Sequence, residues 1–169
     1  MNMDKPKVKN KYKKPKRGRK SPRGLSIWED KFSRKLKKHH KHFAKKVFHR
    51  LMKKSSTLRT TLKRRSKEYE VEFNMSLTEV RELLYKSYGR KCRYCTTKLV
   101  VSNMACDHIH PLSLGGNSTL PNLQMICMRC NTRKGPLTDR AFTKLLKWLS
   151  HQDEDMSKYI LRKLSSRDF

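Results

Sequence analysis

The stretch from residue 92 to residue 135 decides the fold. It begins with Cys92-Arg93-Tyr94-Cys95, continues through Asp107-His108-Ile109-His110-Pro111, and ends with Cys127-Met128-Arg129-Cys130-Asn131-Thr132-Arg133-Lys134-Gly135. Its two Cys-x-x-Cys pairs are separated by 31 residues, and two such pairs can supply the four thiolates of a tetrahedral zinc site. We therefore expect Cys92, Cys95, Cys127 and Cys130 to bind one structural Zn²⁺, with no coordination position left for a substrate.

The fifth cysteine, Cys106, has no partner at this spacing. Free cysteine is among the most buried residue types, so we expect Cys106 in the core and outside the zinc site. Disulfide bonds are the alternative for the paired cysteines. They are disfavoured because the N-terminus lacks the apolar core and small-residue cleavage site of a secretory signal.

Residue patterns around the cysteine pairs predict short helices and strands. Ser76 and Glu79 have the spacing of a capping box and predict a helix over residues 77–88 that ends at Gly89. Strand candidates lie at residues 99–101 and 123–126. Further helices are predicted from Cys127 to a stop at Gly135 and Pro136, from the Thr138 cap onwards, and within residues 152–169.

Positive charge is concentrated in the N-terminal part of the chain. The 169 residues carry a net charge of +29, and residues 1–67 hold 27 of the 43 Lys and Arg residues but only three of the 14 acidic ones. Such charge favours a polyanionic partner, most commonly nucleic acid, with an anionic membrane surface as the alternative. No run of about 18 apolar residues is present, so no membrane span is predicted.

Composition divides the chain into four parts. Residues 1–25 are rich in Lys, Pro and Gly and predict a disordered basic arm. A transit peptide is the alternative, but such peptides favour Arg and Ser over this much Lys. Residues 26–67 predict a basic amphipathic helix to about Met52, with Trp28, Phe43, Val47 and Leu51 on its apolar stripe, and then a linker or second basic helix. Residues 70–150 form the predicted zinc domain, and residues 151–169 a C-terminal helix or tail.

Three segments together resemble the HNH endonuclease family, in its variant with Asn at the last motif position. They are the run from Asp107 to Asn117, the triplet Asn122-Leu123-Gln124, and the run from Cys130 to Gly135; His108 to Asn122 is 14 positions and Asn122 to Asn131 is nine. The resemblance covers roughly residues 76–140. It implies a domain of the ββα-metal type and does not extend to residues 1–67. Together with the four-cysteine zinc knuckle, the flanking helices and the basic extension inferred above, the expected fold class is α+β.

The resemblance also implies residue roles. Asp107 and Asn131 would bind one divalent ion, Mg²⁺ or another, His108 would be the general base, and Asn122 would fix the loop that orients His108. Hydrolysis of a phosphodiester needs a group that accepts a proton near neutral pH and a cation that stabilises negative charge, and imidazole and oxygen-bound Mg²⁺ meet these needs.

Three further residues are candidates for binding substrate phosphate. Strand alternation would place His110 on the face of His108, and Arg133 and Lys134 follow Asn131 by less than one helical turn. Packing beside the site for His110, and ordinary solvated charge for the other two, are equally consistent with the sequence.

The expected function is a metal-dependent endonuclease. The resemblance favours double-stranded DNA over RNA and a phage-like or mobile-element-like nuclease, which would act in the cytoplasm of a bacterial or phage-infected cell. The alternative is a non-catalytic zinc-knuckle protein that binds nucleic acid or the ribosome. The set of Asp107, His108 and Asn131 favours the nuclease, because a pure binding protein has no need of it.

Overall fold

The structure, a computed structural model, describes residues 41–166. The predicted basic arm at residues 1–25 and the start of the predicted amphipathic helix, up to residue 40, lie outside the described residues. Within them the first element is a long helix, α1 (Lys41–Glu68). It runs without a break through residues 53–67, so the helix end predicted near Met52 is wrong, and α1 includes the segment interpreted as a linker or a second helix.

One face of α1 is part of the hydrophobic core. Its buried side chains recur every three or four residues along much of the helix, as a helix with one apolar face requires; they are Ala44, Val47, Phe48, Leu51, Ser55, Leu62 and Ser66. Phe43, predicted on the same stripe, is 58% exposed within the described residues. Two hydrogen bonds fix the polar edge of α1, from Lys54 Nζ to the Val101 carbonyl (2.9 Å) and from Arg59 Nε to the Met75 carbonyl (2.8 Å).

The helix α2 (Leu77–Ser87) packs against α1. Its N-terminus is the predicted capping box: Ser76 Oγ accepts from the Glu79 backbone N–H, and the Glu79 carboxylate accepts from the Ser76 N–H. Val80 and Leu84 are the buried residues of α2. A short strand before it, β1 (Phe73–Asn74), pairs in parallel with β3 (Ser118–Thr119).

The centre of the domain is a ββα unit. The strands β2 (Met104–His108) and β4 (Leu123–Cys127) are antiparallel, with Asp107 opposite Gln124 and His108 opposite Leu123. The helix α3 (Met128–Lys134) follows β4 directly and ends at Gly135. The α+β class and the ββα order expected from the sequence are thus confirmed, but residues 99–101, predicted as a strand, are irregular, and the first strand of the unit begins at Met104.

Two helices complete the described chain. Thr138 caps α4 (Asp139–Leu149) by accepting from the Ala141 N–H, as predicted. The last helix, α5 (Glu154–Ser166), packs against α3. No helix within residues 41–166 combines the length and the apolar composition that crossing a bilayer requires.

Candidate nuclease site

The four paired cysteines come together at one point. Their sulfur atoms all lie within 4.8 Å of one another, and Cys95 Sγ and Cys127 Sγ are 3.7 Å apart. Four thiolates at Zn–S bonds of about 2.3 Å in a tetrahedron are about 3.8 Å apart, so the cluster has nearly the size that zinc requires. The Cys127 N–H points to Cys92 Sγ and the Cys130 N–H to Cys127 Sγ, both at 3.4 Å. The predicted cysteine tetrad is therefore present and could hold a zinc ion.

Cys106 stands apart from this cluster, as expected. It is partly buried and packs against the hydrophobic core, in agreement with the prediction, and it also lines a cavity. Cys106 is the third residue of β2, directly before Asp107. Burial raises the pKa of the Cys106 thiol to about 12, which keeps this sulfur neutral.

A cavity of about 620 Å³ lies beside β2 and α3. Asp107 and His108 line it from β2, and Asn131, Arg133 and Lys134 line it from α3. Further lining comes from outside the ββα unit, namely from Arg65, Tyr69 and Leu164. Residues that the sequence suggested as metal ligands and base thus share one cavity.

Asp107 is held by two neighbours. Gln124 Nε2 donates to Oδ2 (2.9 Å) and Lys134 Nζ donates to Oδ1 (3.0 Å), while Lys134 also donates to the His108 carbonyl (2.8 Å). Burial raises the pKa of Asp107 above its ordinary value, although the bonds from Gln124 and Lys134 act in the opposite direction. A chain of bonds continues from Gln124 to the hydroxyl of Tyr94 (2.8 Å) and from there to the Asp139 carboxylate (2.5 Å).

The contacts of Lys134 overturn its expected place at the surface. Its side chain is fully buried and its ammonium is directed at Asp107 and the His108 backbone. Lys134 lies in the last turn of α3, three residues after Asn131. Its side chain is buried because this place on the helix faces β2 and not solvent. Lys134 therefore supports the site from beneath and does not present a solvated charge to substrate.

The imidazole of His108 is buried and fixed. Its Nε2 lies 2.9 Å from Ser118 Oγ, and Ser118 Oγ lies 2.7 Å from Ser66 Oγ on α1. Burial lowers the pKa of His108 to about 4, and the positive charges of Arg65 and Lys134 act in the same direction. The ring is thus uncharged at neutral pH, and within residues 41–166 its Nδ1 has no hydrogen-bond partner.

Asn131 and Arg133 occupy the α3 wall of the cavity. Both are half-buried. Arg133 donates from Nε to Ser165 Oγ on α5 at 3.0 Å, which connects the C-terminal helix to this wall. Its place in the cavity wall is compatible with the expected phosphate contact, which stays a prediction.

Asn122 closes the loop that follows β2. Its Oδ1 accepts from the His110 N–H (2.8 Å), and its Nδ2 donates to the carbonyls of His110 (3.0 Å) and Asn117 (2.7 Å). His110 itself is exposed and does not line the cavity, so its expected alignment with His108 is wrong. Strand alternation cannot be extended to it because β2 ends at His108.

Comparison with known proteins agrees with this geometry. Residues 92–147 match the HNH endonuclease family. The match runs from the first cysteine of the tetrad into the last turn of α4 and confirms, for this segment, the resemblance seen in the sequence. No curated protein matches the chain. The HNH segment thus holds the cysteine tetrad together with Asp107, His108 and Asn131, whereas α1 and α5 lie outside it.

Several residues around the candidate site could not be predicted from the motif. Ser118 contacts His108 directly, and Gln124 contacts Asp107. Arg65 and Ser66 reach the site from the last turn of α1, and Tyr69 reaches it from the position directly after this helix. Gln124 was detectable in principle, because it is the one polar residue in the apolar run from Leu123 to Cys127. No local signal pointed to the α1 residues, since their place depends on how a distant helix packs.

Proposed function

We propose that this protein is a metal-dependent endonuclease that hydrolyses phosphodiester bonds in nucleic acid, with double-stranded DNA as its substrate. One observation carries the proposal: Asp107, His108 and Asn131 line a single cavity within the segment that matches HNH endonucleases. The choice of DNA over RNA follows the resemblance of the motif.

Asp107 and Asn131 would hold one divalent ion, with Mg²⁺ as the expected metal. Carboxylate and amide oxygens are the hard ligands that Mg²⁺ prefers. Each carboxylate oxygen of Asp107 accepts one bond from the protein and retains capacity for another contact. The residues therefore fit such an ion, which when bound stabilises the negative charge of the transition state and of the leaving oxygen.

His108 would remove the proton from the attacking water. Its ring is uncharged at neutral pH because burial lowers its pKa, and a neutral imidazole can accept a proton. In the tautomer in which Nε2–H donates to Ser118 Oγ, Nδ1 is the nitrogen that receives this proton. Ser118 would then keep the ring in one orientation and one tautomer.

Asn122 would act through the backbone. Its three bonds to His110 and Asn117 hold the loop that leads from His108 to Ser118. Since Ser118 contacts the imidazole, fixing this loop fixes the base. Asn122 is accordingly proposed as a positioning residue.

Substrate would be held by basic side chains. Arg133 lines the cavity, and the solvent face of α1 carries a series of exposed basic residues, namely Lys45, Lys46, Arg50, Lys53, Lys63 and Lys67. Such a face suits the phosphate backbone of a duplex. By analogy with small nucleases that carry basic extensions, we place this activity in the cytoplasm of a bacterial or phage-infected cell.

The cysteine tetrad alone fits a second function equally well, that of a non-catalytic zinc protein that binds nucleic acid or the ribosome. The cavity favours the nuclease, because binding alone does not need a neutral histidine beside a carboxylate and an amide. Incubation of the full chain with supercoiled plasmid, and in parallel with structured RNA, in Mg²⁺ with and without EDTA tests the choice. Metal-dependent nicking or linearisation of the plasmid is expected. Binding of plasmid without cleavage in Mg²⁺, Mn²⁺ or Ni²⁺ would favour the alternative, and cleavage of RNA alone would overturn the assignment of DNA.

A further inference from the structure

The end of α1 forms part of the cavity although it lies outside the HNH segment. Arg65 lines the cavity together with Asp107, His108 and Asn131. The matched segment begins only at residue 92, so Arg65 comes from a part of the chain to which neither the motif nor the family model assigns a role in the site.

The position of Arg65 is fixed by its neighbour in the helix. Ser66 is buried and bonded to Ser118, which is bonded to His108. The last turn of α1 is also tied down by the Val71 N–H, which donates to the Ser66 carbonyl at 2.9 Å. The backbone next to Arg65 is therefore connected to the His108 imidazole through two successive hydrogen bonds, from Ser66 to Ser118 and from Ser118 to His108.

The charge of Arg65 is uncompensated within the described part of the chain. Arg64, the residue before it, forms an ion pair with Glu68, and Lys134 in the cavity forms one with Asp107. No acidic side chain in residues 41–166 pairs with Arg65.

We propose that Arg65 is a substrate-binding residue of the nuclease, which contacts the phosphate of the nucleic acid beside the scissile bond. This inference rests on the proposed function. An unpaired guanidinium at the edge of a cavity that holds the proposed base and metal ligands is suited to a phosphate, since it offers several donors and a permanent charge. The basic helix would thus contribute to the reaction centre as well as to general affinity for nucleic acid.

Single-turnover cleavage of a short duplex in Mg²⁺ compares the full-length wild type with Arg65→Ala, Arg65→Lys and the matched control Arg64→Ala. At saturating protein, Arg65→Ala is expected to lower the cleavage rate by at least about tenfold, since removal of one transition-state donor typically costs this much or more. Arg65→Lys should recover part of the rate because it restores the charge without the fork of donors. Arg64→Ala should stay within about twofold of the wild type.

A second measurement needs no activity. Without added divalent metal, the Arg65 Nε–Hε resonance of the ¹⁵N-labelled, zinc-containing wild type, assigned by its loss in Arg65→Lys, should shift on titration with inorganic phosphate more than that of Arg64. If the Arg65 resonance shifts with phosphate but the wild type cleaves no nucleic acid, Arg65 binds anions and the proposed nuclease function is wrong. Two results would overturn the role of Arg65. The first is a wild type that cleaves while folded, zinc-containing Arg65→Ala cleaves at the same saturating rate. The second is an Arg65 resonance that does not shift when phosphate is added.

Discussion

The ammonium nitrogen of Lys134 lies 3.0 Å from Oδ1 of Asp107, and the two side chains are 0% and 7% exposed. A buried ion pair that loses one partner leaves the other charge uncompensated in the protein interior, which typically costs about 3–5 kcal/mol. We therefore expect Lys134→Met to lower the free energy of unfolding by about that amount. Urea denaturation followed by circular dichroism measures this change.

The matched control is the exposed pair of Lys158 and Glu154, which are 2.8 Å apart with side chains 65% and 81% exposed. Exposed pairs of this kind contribute about 0–1 kcal/mol. Lys158→Met should therefore leave the denaturation midpoint nearly unchanged. Equal losses in the two variants would mean that Lys134 is not the structural support of Asp107 that its burial indicates.

Gly116 is required by the backbone that surrounds it. A Cβ added at Gly116 would run into the carbonyl group of His110, whereas one added at Gly115 would meet nothing within 4 Å. Gly116→Ala must therefore displace the loop that Asn122 holds, and we expect a loss of about 3 kcal/mol or more in the free energy of unfolding.

Gly115→Ala is the control for this prediction. Gly115 has a φ of +82°, so alanine there should cost about 1–2 kcal/mol through backbone strain alone. Thermal denaturation of the two variants side by side separates the contributions. A larger loss for Gly115→Ala would show that the close approach of residue 116 to His110 does not govern this loop.

The cysteine tetrad should behave as a single structural zinc site. Cys92→Ser removes one of four sulfur ligands and is expected to lose zinc and lower the melting temperature, because metal binding contributes folding free energy. Cys106→Ser should keep the metal, since Cys106 lies outside the tetrad. Metal analysis by mass spectrometry checks both variants. Stoichiometric zinc in Cys92→Ser, or none in the wild type, would be incompatible with a four-thiolate site.

Two truncations separate the basic extension from the folded core. Removal of residues 1–40 deletes 16 basic and three acidic residues but keeps α1, so we expect a folded, zinc-bound protein whose binding to nucleic acid depends less steeply on salt. Removal of residues 1–66 also deletes Val47, Leu51 and Leu62 from the core and should prevent stable folding. A cooperative melting transition at wild-type temperature in the shorter chain would contradict the placement of α1 in the core.

Local chemistry made much of this structure predictable. The capping box at Ser76, the Thr138 cap and the end of α3 at Gly135 follow from short-range hydrogen bonding and backbone freedom, and each lies where the sequence placed it. The cysteine tetrad was predictable for a similar reason, because zinc imposes the spacing of its ligands. Long-range burial was less accessible, as the continuation of α1 through residues 53–67 shows.

The same contrast between short-range and long-range effects applies to the candidate site. Asp107, His108 and Asn131 could be proposed from motif spacing, and the structure places all three on one cavity. Lys134 and His110 were misplaced because their orientation depends on the last turn of α3 and on the end of β2. Arg65 and Ser66 could not be found at all, since nothing in the sequence near residue 65 indicates that α1 packs against the loop of Ser118.

The most direct test of the account is the cleavage rate of His108→Ala at saturating protein, measured on a duplex in Mg²⁺ beside the wild type. We expect a fall of at least about a hundredfold, because the water would lack its proton acceptor. Zinc content, melting temperature and affinity for uncleaved duplex should match those of the wild type. A variant that is folded and zinc-bound yet cuts at a near-normal rate would contradict the assignment of His108 as the base and, with it, the proposed reaction centre.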